Sequence, residues 1–310
     1  MILPKNERRT LTGSTKKVVW VFGAPFSGKT TFANKFPDPL MLNTDGNIKF
    51  VDAPFISIKD EVTQNGRMTN RKMAWEVFKE AVEELEKKQN DFKTIVVDLL
   101  EDVYEQCRRW VCDQHGWDHE SDDSFRAWDM VRTEFLNTLK RLMSMDYDNI
   151  ILISHSDMSK DITKKGGDKV TAIKPNLPDK VANKVAGMVD IVARAVADDG
   201  DYILSMKRNE VIFGGGRLTV KEQEIPLEYD AFCALYDEAN KNITGVEKKP
   251  KKAEPVTVSG DPVHGEVVEH LPEAEVVNEP ADVPNETNDA EPTPVAEEKP
   301  VTRRRRRRTV

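Results

Sequence analysis

The segment Gly23–Thr30, with the sequence GAPFSGKT, constrains this chain more than any other part of it. It fits the pattern G-x-x-x-x-G-K-[ST], in which glycines let backbone amides wrap the oxygens of a phosphate group. Lys29 can then reach the β- and γ-phosphates of a nucleotide, and the Thr30 hydroxyl can bind Mg²⁺. The apolar stretch Val18–Phe22 precedes the loop, and a helix is predicted over Lys29–Phe36. This order of strand, loop and helix predicts an anion site at a helix N-terminus.

These features together indicate a P-loop NTPase, an α/β protein that binds a nucleotide and Mg²⁺. Lys29 is expected both to bind the nucleotide and to act in catalysis. The sequence does not separate ATP from GTP. The residues predicted to contact the nucleotide are Gly23, Ala24, Pro25, Phe26, Ser27, Gly28, Lys29, Thr30 and Thr31.

Composition narrows the class of protein further. The 310 residues include three cysteines without regular spacing, which argues against a disulfide scaffold and fits a reducing compartment. No apolar run of 18 residues is present to span a membrane, and residues 1–5 lack the pattern of a signal peptide. We therefore expect a cytoplasmic protein that is not embedded in a membrane.

The chain changes character near residue 246. From there to Val310 it holds 9 of its 17 prolines and no Phe, Trp or Tyr, so little surface is available for burial and disorder is predicted. Residues 253–299 carry 13 acidic residues against one lysine, and Arg303–Arg308 form a basic run. The tail is expected to bind a partner protein or nucleic acid, or to be a solubilising linker. We divide the chain into an extension (1–15), a nucleotide-binding domain (16–245) and the tail (246–310).

Within the domain, short β-branched runs alternate with helical stretches, a pattern typical of a parallel α/β sheet. The turn Asp198–Asp201 is too short for a crossover connection, so it predicts an antiparallel hairpin at the sheet edge. The predicted helices are Asn70–Lys88, Leu99–His115 and Ser124–Met145. The predicted strands are Val18–Phe22, Thr94–Leu100, Asn149–Ser154, Val189–Val196 and Tyr202–Met206, with a further short strand over 40–46.

The second signal is a carboxylate at a strand end. P-loop proteins use such a group, at the end of a strand that neighbours the P-loop strand, to hold Mg²⁺ through water. The apolar strand Thr94–Asp98 ends in Asp98, so Thr30 and Asp98 are the predicted metal ligands. ATPases of the AAA+ type usually place a water-activating Glu directly after this Asp, but Leu99 follows here. The water-activating group is therefore expected elsewhere.

Asp45 is the first candidate for that group. It follows a short apolar strand, which in a RecA-like sheet lies beside the P-loop strand and would bring the carboxylate near the γ-phosphate. The alternative is a turn residue, since Asp45-Gly46 is a strong turn signal. Glu101, one helical turn beyond Asp98, is a weaker rival.

His155 closes the next buried strand, at the same predicted edge of the sheet. A polar group there can contact the γ-phosphate or its water and report the nucleotide state to the following loop. The alternative is a structural histidine with satisfied hydrogen bonds, and Ser154 is the second choice for the role.

The segment 158–174 is basic in an otherwise acidic protein. It contains two aspartates, and Gly166-Gly167 would keep it mobile. Such a loop suits contacts with the phosphate backbone of DNA, although it has no aromatic residue to stack on bases. A solvated hairpin is the alternative. The candidate nucleic-acid contacts are Lys160, Lys164, Lys165, Lys169 and Lys174.

The order of these elements over residues 16–240 resembles that of bacteriophage RecA-like P-loop ATPases, and more narrowly the compact RecA paralogues of single-strand annealing and recombination. That resemblance implies ATP hydrolysis, binding of single-stranded DNA, and assembly into homo-oligomeric rings or filaments. Asp45 then matches the family's acidic residue after the second strand, and His155 stands where many relatives carry Gln. It also implies that a cation on a late strand, Lys207 or Arg208, reaches the neighbouring subunit's γ-phosphate. The alternative is that these cations form salt bridges on the surface.

We accordingly expect an Mg²⁺-dependent ATPase that acts on single-stranded DNA in phage recombination or replication, with the tail available to bind another protein of those processes. One alternative is a P-loop kinase for a small molecule, although its usual lid arginines are missing between residues 160 and 174. The other is a nucleotide switch that scaffolds a replication complex.

Overall fold

The computed structural model describes residues 6, 13–119, 124–157, 159, 161–163 and 169–244. Among these residues the helices are α1 (Lys29–Asn34), α2 (Ala74–Glu86), α3 (Leu100–His115), α4 (Ser124–Ser144), α5 (Asp179–Ala186) and α6 (Tyr229–Thr244). The strands are β1 (Lys17–Gly23), β2 (Pro39–Asn43), β3 (Phe55–Ser57), β4 (Glu61–Asn65), β5 (Met68–Lys72), β6 (Thr94–Asp98), β7 (Asn149–Asp157), β8 (Asp161–Thr163), β9 (Lys169–Thr171), β10 (Lys174–Pro175), β11 (Ile191–Asp198), β12 (Asp201–Ser205), β13 (Gly215–Gly216) and β14 (Glu224–Pro226). No helix within these ranges is long and apolar enough to cross a membrane.

The central sheet has the strand order β14-β12-β11-β1-β7-β6-β2-β3. The six strands from β11 to β3 run parallel, and β12 and β14 add an antiparallel edge. Asp198 pairs with Asp201 where the chain reverses between β11 and β12. The predicted mixed α/β fold with a mostly parallel sheet and an antiparallel edge hairpin is therefore confirmed.

Helices cover both faces of the sheet because its inner strands are apolar on both sides. The residues of β1 alternate between the two layers of the core: Trp20 and Phe22 pack with α2, α3, α4 and α5, whereas Val19 and Val21 pack with α1 and α6. This burial holds the P-loop strand rigidly at the centre of the sheet, with its C-terminal end free to carry the loop.

The strand predicted to lie beside the P-loop strand β1 lies elsewhere in the sheet. The strand that precedes Asp45, β2, does not lie beside the P-loop strand, because β7 and β6 stand between them. Asp98 was likewise expected on a strand next to the P-loop strand, but β7 lies between its strand, β6, and β1. The physical reason is that β7 is buried along Asn149–Ser154 and pairs in parallel with both β1 and β6.

The helix predicted over Asn70–Lys88 begins later than its apolar pattern indicated. Residues 68–72 form β5, which pairs with β4 in a separate hairpin, and α2 starts at Ala74. Two carboxylates fix this start: Asp60 accepts a hydrogen bond of 2.9 Å from the Ala74 N–H, and Glu76 accepts one of 2.8 Å from the Met73 N–H. Capping therefore decided a boundary that hydrophobic periodicity blurred.

The predicted tail, 246–310, and most of the predicted N-terminal extension lie outside the described residues. Ser14 is described, and it exchanges hydrogen bonds with Asn240 of α6.

Candidate nucleotide-binding site

The P-loop leaves the C-terminal end of β1 in a conformation that needs its glycines. A Cβ on Gly23 would lie 2.4 Å from the backbone oxygen of Ala195 on β11, which is closer than real side chains approach backbone. Gly28 has a φ of 79°, in the left-handed region that favours glycine. The loop then enters α1 at Lys29.

Lys29 is held inside the loop. Its Nζ donates hydrogen bonds to the backbone oxygens of Gly23 at 3.1 Å and Ala24 at 2.8 Å, and it lies 3.4 Å from Ser27 Oγ. Burial lowers the pKa of Lys29, although the charges of Asp98 and Glu101 act in the opposite direction. The ammonium group is therefore already positioned at the loop. When a phosphate binds, Lys29 would give up its hydrogen bonds to backbone carbonyls for stronger ones to charged phosphate oxygens.

Thr30 and Asp98 come together as the sequence predicted for a magnesium site. Thr30 Oγ1 donates a hydrogen bond of 2.8 Å to Asp98 Oδ2. Asp98 Oδ1 is buried and has no hydrogen-bond partner among the described residues. Burial raises the pKa of Asp98 to about 6, against the lowering effect of the Thr30 hydrogen bond and the Lys29 charge.

This donor set fits Mg²⁺. The ion prefers hard oxygen ligands and keeps several of its waters, so a hydroxyl on the P-loop and one strand-end carboxylate are enough protein ligands. The unpaired Asp98 Oδ1 is an acceptor that a metal-bound water would satisfy.

Asp45 lines the same cavity, but its oxygens are occupied. Oδ1 accepts hydrogen bonds of 2.9 Å from Asn43 Nδ2 and from the Asn47 N–H, and Oδ2 accepts one of 2.8 Å from Asn47 Nδ2. Burial alone would raise the pKa of Asp45, but these hydrogen bonds outweigh it and hold the pKa below its usual value. The carboxylate thus stabilises the turn after β2, and a lowered pKa makes it a weaker base.

His155 lies directly opposite Gly23 in the pairing of β7 with β1, and it lines the cavity. Its partner is Glu101: the Glu101 Oε1 atom is 2.9 Å from His155 Nδ1 and accepts a 2.8 Å hydrogen bond from the His155 N–H. The sequence supplied both residues as separate candidates. Their contact could not be predicted from the sequence, because it depends on β6 and β7 being adjacent.

Ser154, the second choice for that role, is fully buried and accepts a 2.9 Å hydrogen bond from Trp20 Nε1. It lies on the apolar side of β7, in contact with the core rather than with the cavity. Its hydroxyl therefore stabilises the sheet packing.

The cavity over the P-loop has a volume of about 1650 Å³ and two chemically different ends. One end carries Asp98, His155 and Asp45. The other is lined by the β11–β12 turn, by Tyr202, and by the segment 225–228. The Tyr202 ring lies against the P-loop, because a Cβ on Gly28 would be 3.2 Å from its Cδ1. Tyr202 is 49% exposed, and sequence reasoning gave no signal for its part in this site.

Of the predicted cations outside the P-loop, the three whose side chains the structure describes, Lys174, Lys207 and Arg208, do not line this cavity. Lys174 makes an ion pair with Asp179 at 3.3 Å, and Lys207 makes one with Glu224 at 2.5 Å. Arg208 is exposed beside Gly215. Lys160, Lys164 and Lys165 lie outside the described residues, and Lys169 is described only as part of the β8–β9 hairpin.

Comparison with known proteins agrees with this site. The AAA domain family matches residues 15–218 of the chain. A curated relative is the SPbeta prophage-derived uncharacterized protein YorG of Bacillus subtilis (strain 168), which is 24% identical over 169 residues. The match covers 52% of this chain, and the chain spans 48% of the length of that relative.

Among solved structures, the flagellar accessory protein FlaH from Methanocaldococcus jannaschii matches 62% of this chain and 77% of its own. The TM-score is 0.29 and the sequence identity is 8%.

Proposed function

The chain belongs to the AAA domain family, and on this premise we propose that it is an Mg²⁺-dependent ATPase of the RecA-like type that acts on single-stranded DNA in phage replication or recombination. The prophage origin of a relative supports the phage setting. The observation that carries the ATPase proposal is the contact between Thr30 and Asp98 beside the P-loop lysine.

The chain's own residues divide the work at the triphosphate. Backbone N–H groups of residues 23–31, other than Pro25, bind the phosphate oxygens. Lys29 carries the positive charge that stabilises negative charge on the transferred phosphoryl group. Thr30 and Asp98 would hold Mg²⁺, which when bound neutralises charge on the β- and γ-phosphates. Asp98 and His155 therefore mark the γ-phosphate end of the cavity.

The base of the nucleotide then belongs at the opposite end. A triphosphate that runs from His155 past Lys29 places its nucleoside near Tyr202, with Pro226 and Leu227 beside it. A half-exposed aromatic ring next to apolar side chains is a suitable surface on which a nucleobase can stack. This assignment defines the orientation of the nucleotide, with the γ-phosphate near His155 and the base near Tyr202.

Single-stranded DNA is proposed as the partner because of the segment that follows β7. It begins after Asp157, the last residue of β7 and two residues beyond His155, so the nucleotide state has a short route to it. Part of the segment is the β8–β9 hairpin, and its lysines, Lys160, Lys164, Lys165, Lys169 and Lys174, are the proposed phosphate contacts. Lys174 would have to exchange its ion pair with Asp179 for this contact.

A homo-oligomer, ring or filament, is proposed for the active state. The cavity lining within the described residues includes three lysines and no arginine. An additional cation for the transition state would therefore come from a neighbouring copy, and Lys207 and Arg208, which lie away from the cavity of their own chain, are the proposed donors. The tail, 246–310, remains the proposed attachment for a replication or recombination protein.

The deciding experiment measures ATP turnover with Mg²⁺, with and without single-stranded DNA, for the wild type and Lys29→Ala. We expect turnover that DNA stimulates and that Lys29→Ala abolishes. The matched control is Lys35→Ala, which removes a lysine of the same cavity from the other end of α1. Nucleotide binding without turnover would favour a nucleotide-switch scaffold instead. Turnover without DNA binding or stimulation would refute the DNA part, and phosphate transfer to a small acceptor would indicate a kinase.

A further inference from the structure

The side chains of His155 and Glu101 meet beside the P-loop although 54 residues separate them. His155 is on β7, opposite Gly23, and Glu101 is in the first turn of α3, which follows β6. Because β6 and β7 are adjacent, the start of α3 is brought over the end of β7. The pair is therefore placed by the sheet order and not by local sequence.

One oxygen of the Glu101 carboxylate contacts two nitrogens of His155. Glu101 Oε1 accepts the His155 backbone N–H at 2.8 Å and lies 2.9 Å from the ring Nδ1. An ionised carboxylate only accepts hydrogen bonds, so Nδ1 carries the proton in this contact. The ring is thereby fixed relative to its own backbone, and Nε2 is left as the nitrogen available to a ligand.

The two residues differ in their access to the cavity. The His155 side chain is 33% exposed and lines the cavity, whereas Glu101 is only 10% exposed and is absent from the lining. The second oxygen of Glu101, Oε2, is buried with no hydrogen-bond partner among the described residues. The histidine therefore faces the cavity in which a nucleotide would bind, and the glutamate lies behind the histidine.

We propose that Glu101 is a positioning residue that orients His155, and that His155 Nε2 is the base for the attacking water. This inference rests on the ATPase function proposed above. It assigns to His155 and Glu101 together the task that the turn-bound Asp45 is poorly placed to perform. The arrangement is the one by which a carboxylate holds a catalytic imidazole in other hydrolases.

The step balances as a hydrolysis. The water oxygen forms a bond to the γ-phosphorus while the bond from that phosphorus to the bridging oxygen breaks, and ADP leaves with the electron pair. One proton of the water passes to the Nε2 lone pair, and the resulting imidazolium later releases it to solvent. The carboxylates of Asp45 and Asp102 are also within electrostatic range of the His155 ring.

A double-mutant cycle in the full chain tests the proposal. We expect His155→Ala to lower kcat about 100-fold or more, with little change in KM, as loss of a general base does. We expect Glu101→Ala to lower kcat about 10- to 100-fold, in the range of lost supporting contacts. Because Glu101 acts through His155, adding Glu101→Ala to His155→Ala should cost little more. Glu105→Gln, an exposed glutamate on the same helix, is the matched control and should leave kcat unchanged.

Independent effects in the cycle, or a larger loss in Glu101→Ala than in His155→Ala, would overturn the proposal and make Glu101 itself the base. A second readout does not depend on turnover: ¹⁵N NMR of the His155 ring should show a protonated Nδ1 in the wild type, and this preference should weaken in Glu101→Ala. If the wild type hydrolyses no nucleotide, the ATPase function itself fails. The ring signals then still report whether Glu101 fixes the imidazole, so the two failures are distinguishable.

Discussion

Thr30 Oγ1, in α1, donates a 2.8 Å hydrogen bond to Asp98 Oδ2 at the end of β6, although β7 lies between β6 and the P-loop strand β1. The contact forms because α1 carries Thr30 forward from the P-loop over the end of β6. A buried carboxylate with one oxygen unpaired is costly in the nucleotide-free protein, and this cost gives a measurable consequence.

Asp98→Asn should stabilise the nucleotide-free protein while impairing Mg²⁺-dependent nucleotide binding. The pKa of Asp98 is about 6 in the fold against 3.8 in a model peptide, so the folded state binds more protons between pH 4 and 6. Stability contributed by this group is present below pH 4 and is lost as the pH rises through 6. The loss is roughly 3 kcal/mol at most. Denaturation at pH 5 and pH 7.5 measures it: the variant should gain about twice as much stability at pH 7.5 as at pH 5. Asp91→Asn, at an exposed site, should show no such gain, and an equal gain at both pH values would contradict the assignment.

Asp45→Asn should lower the turnover far less than removal of a general base would. Both carboxylate oxygens of Asp45 accept hydrogen bonds from Asn43 or Asn47, so the residue is engaged in the turn. We expect kcat to fall less than about tenfold, against the 10²- to 10⁴-fold loss that follows removal of a general base. Steady-state kinetics alongside a thermal melt separates a catalytic effect from a loosened turn. A loss of 100-fold with an unchanged melting temperature would return the base role to Asp45.

Tyr202→Ala should weaken ATP binding and leave tripolyphosphate binding unchanged. Stacking of a base on an aromatic ring contributes about 1–3 kcal/mol, so a loss of about tenfold in ATP affinity is expected. Tripolyphosphate has no base, and its affinity reports only the P-loop. Calorimetry with both ligands measures the difference, and Tyr202→Phe, which keeps the ring, should bind ATP as the wild type does. Equal weakening of both ligands would show that Tyr202 supports the loop instead.

Gly23→Ala should destabilise the fold before any effect on nucleotide is considered. The added Cβ would lie 2.4 Å from the Ala195 backbone oxygen, and neither buried strand can move without disturbing the sheet. Overpacking of this kind costs about 1–3 kcal/mol, which urea denaturation would detect. Gly187→Ala is a suitable comparison because its Cβ meets only ordinary contacts of 3.4 Å, so its stability should stay within about 0.5 kcal/mol. Identical stabilities for the two variants would disprove the role of close strand approach.

Much of the fold could be read from local sequence. Strand β1, the P-loop and α1 follow from one motif because its spacing is a backbone requirement for wrapping phosphate. The hairpin between β11 and β12 followed from a short Asp-Gly turn, and Asp98 from an apolar run that ends in a carboxylate. These features depend on residues close together in the chain, where propensity and turn chemistry act directly.

The order of strands in the sheet could not be read in this way. The expected place of β2 beside β1 was wrong, because pairing between distant strands is decided by which strand is apolar enough to be buried on both sides. For the same reason the contact of Tyr202 with the loop at Gly28 was not anticipated. The contacts of Asp45 with Asn43 and Asn47 are local, and they belong to the turn that the sequence offered as the alternative for this residue.

The sequence by itself therefore determined that this chain carries a P-loop, a carboxylate at the end of a buried strand, and an α/β fold to hold them. Only the tertiary structure decided which side chains act together. In the structure the Asp45 carboxylate is hydrogen-bonded within a turn, and Tyr202 lies at the far end of the cavity. The tertiary structure also joined Glu101 to His155, since burial of β7 between β1 and β6 brings residues 54 positions apart within 2.9 Å.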